Sequence, residues 1–438
     1  MDKFIVATNK PSHFLEQLQT RGLVQDHTPG LGDYLKNAET LNLTPKVYAG
    51  FDPSAASLHV GNLLPALMLR RAQLCGIQPI VLLGGATGLI GDPSGKKEER
   101  TLLEKDQAAD NIEKIKAQLM KFVDFSPGKT QGIVANNFDW FKSFSFLDFL
   151  RDVGKHITVN YMTAKDSVKI RMETGISYAE FGYMLVQGYD FLHLFEAQNC
   201  AIQLGGSDQW GNMTTGLELI RRKHGKEAHA VSAPLLTDSA GNKLGKSEKG
   251  AIYLDPSLTS PFRFYQYWLG IHDTDAPKVL RYLTFFRDDY VANLEEKIKS
   301  EPESRTAQRV LAHELTRLVH GEEAALGAEN ASKVLFSKDA SVLKNLNAKA
   351  LEVLATEVPS IRWPEAEKSL SLLALLTRCE LATSNGEAKR HIKSGAVSLN
   401  REKVSDENLQ VNASDLFAER PFCLVGVGKN KLVLVLKA

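Results

Sequence analysis

The stretch that most restricts the fold of this chain is KVYAGFDPSAASLHVGN, residues 46–62. KVYAGF has the apolar and aromatic make-up of a buried strand, and Asp52, Pro53 and Ser54 punctuate its end. LHVGN follows, then LLPALMLRRAQLC, whose apolar spacing predicts a helix, and then a second strand in PIVLLGGATG. Strand, helix and strand in this order make a βαβ unit, so a parallel sheet with ligands at the carboxyl ends of its strands is expected. The turn sets His59 and the Gly61 backbone at a helix N-terminus, where unpaired N–H groups and the helix dipole suit a phosphate. Read alone, a core histidine and a packing glycine explain the pentapeptide equally well.

Further polar groups recur just past strand ends. GGATGLIGDPSGKKEER lacks the dinucleotide GxGxxG spacing, yet it groups Asp92, Lys96 and Arg100, suited to an ammonium and to phosphates. In SYAEFGYMLVQGYDFLHLFE, Tyr183, Gln187 and Asp190 fall at i, i+4 and i+7 and share one helix face. A carboxylate buried there without a partner would cost several kcal/mol, which favours a ligand wall over packing. CAIQLGGSDQWGN ends in Ser207, Asp208 and Gln209. KLGKS, 243–247, follows a turn-rich TDSAGN; a phosphate-binding P-loop would need glycine at Ala240, and by itself the segment is an ordinary lysine loop.

Composition sets outer bounds. With 438 residues, 43% of them hydrophobic, the chain can bury more than one core. Its 53 basic and 52 acidic side chains leave a formal charge of +1, so any nucleic-acid contact must be regional. Cys75, Cys200, Cys379 and Cys423 are scattered without zinc-ligand spacing, and reduced buried thiols and no metal site are expected. The N-terminal residues lack a signal or transit pattern, and no run is apolar enough to span a bilayer, so a cytoplasmic protein is expected.

LHVGN and KLGKS together resemble the HIGH and KMSKS signatures of class I aminoacyl-tRNA synthetases. With YAGFDPSAASLHVGN, GGATGLIGDPSGKKEER and QLGGSDQWGN, the resemblance narrows to the bacterial-type tyrosyl enzymes and covers nearly the whole chain. It implies an α/β fold: a Rossmann-like parallel-sheet catalytic domain, a helical anticodon-binding region and a small C-terminal α+β RNA-binding domain. The expected boundaries are a helical segment at 1–45, the catalytic domain with a dimer-forming insertion at 46–259, the helical region at 260–345, a linker at 346–370 and the RNA-binding domain at 371–438.

The same resemblance implies roles for matched positions. Tyr48 and Asp190 would hold a substrate phenol, and Asp92, Tyr183 and Gln187 its ammonium. Asp52, Gly61, Asp208, Gln209 and Lys246 would meet ATP. His59, Asn62, Lys96, Arg100, Lys243, Lys246 and Ser247 would stabilise the transition state. Lys389, Arg390 and Lys393 recur at helical spacing and would meet tRNA phosphates. L-tyrosine, ATP with Mg2+, and tRNA are the implied substrates, and a homodimer the implied assembly. Asn62 departs from the pattern, standing where HIGH has its last histidine. Leu244 and Gly245 stand where KMSKS has methionine and its first serine, and Ser247 where the tyrosyl family often has threonine. A tryptophanyl enzyme and a non-catalytic RNA-binding relative remain as alternatives.

Overall fold

The computed structural model describes residues 3–94, 103–172, 175–247, 250–336, 343, 348–417, 421–428 and 431–437. Two compact units divide the chain: Met1–Thr259 with Ile271–Leu311, and Ser260–Gly270 with Ala312–Ala438.

The first unit is built on six strands, β1 (Asp26–His27), β2 (Lys46–Phe51), β3 (Gln78–Leu83), β4 (Ile133–Asn136), β5 (Ile202–Gly206) and β6 (His229–Ala233). Their order in the sheet is β1-β6-β5-β2-β3-β4. All neighbours are parallel except β1, which runs antiparallel to β6 at the edge. β2 and β3 are buried almost throughout, as strands covered on both faces must be. Helices α1 (His13–Thr20) and α2 (Leu31–Thr40) are the two expected in 11–45. β1, lying between them, has two exposed residues and no apolar pattern that could announce it.

Three helices shape the crevice. α3 (Val60–Leu74) links β2 to β3, and α4 (Thr87–Ile90) follows β3. After α5 (Lys105–Leu119), β4 and α6 (Phe138–Phe141), the chain makes three short helices, α7 (Phe146–Asp152), α8 (Val159–Thr163) and α9 (Asp166–Met172). It then enters α10 (Tyr178–Gln198), the third helix of the crevice. Ser177 caps α10 by accepting the Glu180 N–H, and Asn199 ends it in the left-handed conformation, φ 55°. α11 (Trp210–His224) packs beside α10. From β2 the chain runs outward through β3 and β4, then returns on the other side to build β5 and β6. The crevice at this reversal, outside the carboxyl ends of β2 and β5, is where open α/β sheets take their ligands.

The second unit begins in helices and ends in a sheet of order β12-β11-β14-β15-β9. Its strands are β9 (Ser360–Arg362), β11 (Val397–Leu399), β12 (Glu402–Lys403), β14 (Phe422–Val427) and β15 (Lys431–Leu436), with a separate pair β10 (Ser369–Ser371) and β13 (Gln410–Asn412). The expected linker, 346–370, is corrected here. It holds helix Ala348–Glu357, and β9 pairs in parallel with Leu434–Leu436. Trp363 is buried in the same core as Leu372, Leu375 and Val425. A three-residue strand is too short to show a period, and its partner lies at the far end of the chain.

Candidate active site

The two signatures far apart in sequence meet at the start of α3. His59 is the N-cap: its backbone N–H donates to Asn62 Oδ1 at 3.0 Å, and its Nδ1 accepts the Gly61 N–H at 3.0 Å. Asn62 therefore completes a capping box. The phosphate expectation needs correcting on this point. The Val60, Gly61 and Asn62 N–H groups are all engaged, by Ile252 O, His59 Nδ1 and His59 O, so the helix start does not offer them to an anion. Because Nδ1 accepts, the neutral imidazole carries its hydrogen on Nε2.

The lysine loop is seated against this cap. Leu244 N–H donates to Leu236 O and Ile252 N–H to Gly245 O, both at 2.8 Å. Gly245 has φ +88°, and a Cβ there would lie 2.7 Å from Val60 Cβ. Serine cannot be accommodated at that contact, which explains the glycine in KLGKS. Lys243 pairs with Thr237 as an isolated bridge. Lys246 and Ser247 form β7 (Lys246–Ser247) against β8 (Gly250–Ala251); their backbones are described and their side chains are not.

A cleft of about 930 Å³ opens at the sheet reversal. Tyr48, Asp52, His59, Gly61, Asn62, Asp92, Tyr183, Gln187, Asp190, Asp208, Gln209 and Lys243 all line it. Lys96 and Arg100 lie outside the described residues. Lys389, Arg390 and Lys393 belong to the second unit, exposed on helix Asn385–Lys393, while Ala388 and Ile392 face the core.

Two hydrogen-bond systems organise the polar wall. In the first, Tyr183 Oη–H donates to Asp52 Oδ2 at 2.8 Å, and Thr87 Oγ1–H to Asp52 Oδ1 at 2.7 Å. Asn137 Nδ2 donates to both Thr87 Oγ1 and Asp190 Oδ2 at 3.0 Å, and Trp140 Nε1 to Asp190 Oδ1 at 3.0 Å. Gly84 permits this crowding, since a Cβ there would meet Asp52 Oδ1 at 2.0 Å. In the second, Asn212 Nδ2 reaches Gln187 Oε1 at 2.9 Å and Gln209 Oε1 at 3.2 Å, while Gln209 Nε2 donates to Asp92 Oδ2 at 2.7 Å. Tyr183 is thus joined to Asp52 and Gln209 to Asp92, while Asn212 bridges the Gln187 and Gln209 amide oxygens.

Burial sets the electrostatics. Asp190 is 1% exposed, and burial pushes its carboxyl up to about 8; the Asn137 and Trp140 donors oppose the rise and Asp52 adds to it. Asp190 has two partners within the protein, both neutral. Burial, with Asp190 nearby, raises the Tyr48 phenol well above its usual range, and burial, with Asp52 and Asp92, does the same to Tyr183. Asp208 is raised by burial and drawn down by Lys243. Among the described residues the Tyr48 hydroxyl and Gln203 Oε1 are buried without a hydrogen-bond partner, and both residues line the cleft. Thr87, Asn137, Trp140, Gln203 and Asn212 were not singled out in the sequence. Gln203 in CAIQLGG had the only readable signal, an amide inside an apolar strand.

Comparison with known proteins agrees with this geometry. A family model described as tRNA synthetases class I (W and Y) matches residues 41–337, and the Tyrosine--tRNA ligase SYY-like C-terminal domain matches 350–435. A Tyrosine--tRNA ligase of Roseiflexus castenholzii is 48% identical over 406 residues, 92% of this chain and 94% of that protein. The chain belongs to the tyrosyl-tRNA synthetases of class I. Tyrosine--tRNA ligase 1 of Bacillus subtilis is 47% identical over 97% of this chain and 99% of its own length. Among solved structures, a C-terminally truncated mitochondrial tyrosyl-tRNA synthetase of Aspergillus nidulans superposes with TM-score 0.65 at 31% identity, covering 74% of this chain and 94% of that one. A tryptophanyl-tRNA synthetase of Encephalitozoon cuniculi shares the synthetase fold, TM-score 0.52, at 14% identity. Fold alone therefore does not choose the amino acid.

Proposed function

We infer that this synthetase is a tyrosine–tRNA ligase: it joins L-tyrosine to ATP as tyrosyl-adenylate, releasing pyrophosphate, and passes the tyrosyl group to the 3′ end of its tRNA. The observation that carries the choice of amino acid is the pairing of an unpartnered buried hydroxyl, Tyr48, with a buried carboxylate, Asp190, in one cleft wall. A phenol can accept from Tyr48 and donate to Asp190 at once. An indole N–H can only donate, and a phenyl ring does neither. Phenylalanine would leave both groups unpaired in a dry site, the rule for which tyrosyl-tRNA synthetases are the usual illustration.

We propose the following roles. The tyrosine carboxylate attacks the α-phosphorus, so no protein nucleophile or general base is needed; the bond to the bridging oxygen breaks and pyrophosphate leaves. Catalysis is positioning and charge stabilisation. Asp92, Gln187 and Tyr183 take the ammonium, the last through its oxygen, since its O–H is given to Asp52. Asp52, Gly61, Asp208 and Gln209 lie along the nucleotide. His59 Nε2–H, Asn62, Lys243, Lys246, Ser247, Lys96 and Arg100 meet phosphates. ATP enters as its magnesium complex. The tRNA anticodon is met by the 260–345 region, and Lys389, Arg390 and Lys393 meet backbone phosphates in the C-terminal domain. Phe146, Leu147, Leu150, Val159 and Tyr178, spread over α7 to α10, are exposed apolar side chains that a homodimer interface would cover, and the cytoplasm is the proposed location.

The test is amino-acid-dependent exchange of pyrophosphate into ATP, with tyrosine, tryptophan and phenylalanine, repeated in Lys243→Ala and Lys246→Ala. Tyrosine alone should support exchange, and each lysine variant should slow it. Exchange driven equally by tryptophan would overturn the reading of Tyr48 and Asp190.

A further inference from the structure

Trp140 sits on α6, a four-residue helix with no fully buried residue. Its indole packs, partly buried, against the core that contains Tyr48 and Phe191. Two contacts orient it. The N–H edge donates to Asp190 Oδ1 at 3.0 Å, and the face stacks on the His193 imidazole, with centroids 4.3 Å apart and planes 20° from parallel. Asp190 and His193 are three positions apart on α10 and so share a face. One indole thus spans two consecutive grips of the same rigid helix. The hydrogen bond by itself leaves the ring free to tilt about the N–H···O axis, and the stack removes that freedom.

The surroundings of His193 fit a neutral aromatic plate. Tyr189 lies 6.1 Å away on the same helix. Partial burial holds the imidazole below its ordinary range, with Glu196 opposing, so the ring is uncharged near pH 7.

We propose that His193 is a positioning residue for substrate selection: its ring holds the Trp140 indole so that the N–H stays on Asp190. The inference rests on the reading of Asp190 as the carboxylate that meets the substrate hydroxyl. Asp190 has two neutral donors, and only Asn137 is itself buried and bonded on several sides. The Trp140 donor depends on the stack. Without it the carboxylate loses the orientation that aims its remaining lone pairs at a phenol.

The experiment measures kcat and KM for tyrosine and for phenylalanine in pyrophosphate exchange, in wild type, His193→Ala, His193→Phe and Asp190→Asn. For His193→Ala the tyrosine KM should rise roughly fivefold to twentyfold, the size of a misaligned hydrogen bond, with kcat within about twofold and phenylalanine kcat/KM unchanged. His193→Phe keeps a flat ring and should restore the tyrosine KM. If Asp190→Asn abolishes discrimination while His193→Ala leaves it intact, or shifts both amino acids alike, the positioning role is overturned and the reading of Asp190 stands. If Asp190→Asn itself leaves discrimination intact, the reading fails and the inference with it. A His193→Phe protein that melts like wild type yet stays defective would refute the stack as the cause.

Discussion

Asp190→Asn separates the two things this carboxylate does. The amide keeps the volume, so no cavity opens. Asp190 Oδ1 and Oδ2 each accept an N–H, from Trp140 and Asn137, at 3.0 Å. Asparagine has a single carbonyl oxygen, so one of those donors must face an NH2 group. That conflict exists with and without substrate, so it lowers stability and largely cancels from the kinetics. What remains in kcat/KM, measured above about pH 8 where the carboxyl is ionised, is the charged hydrogen bond to the phenol, about 1.5–3 kcal/mol, or roughly 10- to 150-fold. Phenylalanine has no hydroxyl to lose, and its kcat/KM should stay within about threefold. Pyrophosphate exchange with both amino acids reads the ratio directly. An unchanged tyrosine-to-phenylalanine ratio would refute the reasoning.

The same variant carries a pH signature. The folded-state carboxyl titrates at about 8, against 3.8 as its unperturbed value, so the folded protein holds an extra proton between those values. Stability from this group is therefore lost as pH rises from about 4 to about 8, by an amount on the order of 5 kcal/mol. The substituted amide cannot titrate. Thermal melts should show Asp190→Asn less stable than wild type near about pH 5, with the gap closing towards about pH 9. A gap independent of pH would mean that Asp190 stays ionised throughout.

Three further outcomes are expected. Gly245→Ser, which restores the serine of KMSKS, should slow exchange rather than speed it: φ +88° and the 2.7 Å approach to the Val60 Cβ together cost on the order of 2–4 kcal/mol, and exchange as fast as wild type would show that this contact does not require glycine. Asn62→Ala removes half of the capping box and should lower stability by about 1 kcal/mol, read as a fall of a few degrees in Tm; an unchanged Tm would show that the cap carries no stability. Replacing Lys389, Arg390 and Lys393 by alanine should weaken tRNA binding and flatten its log–log salt dependence by roughly two to three units. A weaker affinity with an unchanged salt slope would mean that these side chains do not meet phosphates.

Much of the architecture was legible because parallel strands buried on both faces read as apolar runs. KVYAGF and PIVLLGG, with a helical pattern between them, announce the βαβ unit, and the polar clusters after each strand mark the ligand end of the sheet. Local periodicity also placed Tyr183, Gln187 and Asp190 on one face of α10. β9 was illegible, being three residues long and paired with the end of the chain.

Pairings across the fold belong to the tertiary structure alone. Nothing in LHVGN says that His59 spends Nδ1 on its own helix, or that Gly245 must be glycine because Val60 lies against it. Asn137 and Trp140 looked like ordinary members of NNFDW; only the approach of α6 to α10 makes them the donors that hold Asp190. Residue type and period are local properties, readable along one segment. A hydrogen bond between segments depends on where two backbones are held, and that is set by the packing of the whole sheet and its helices.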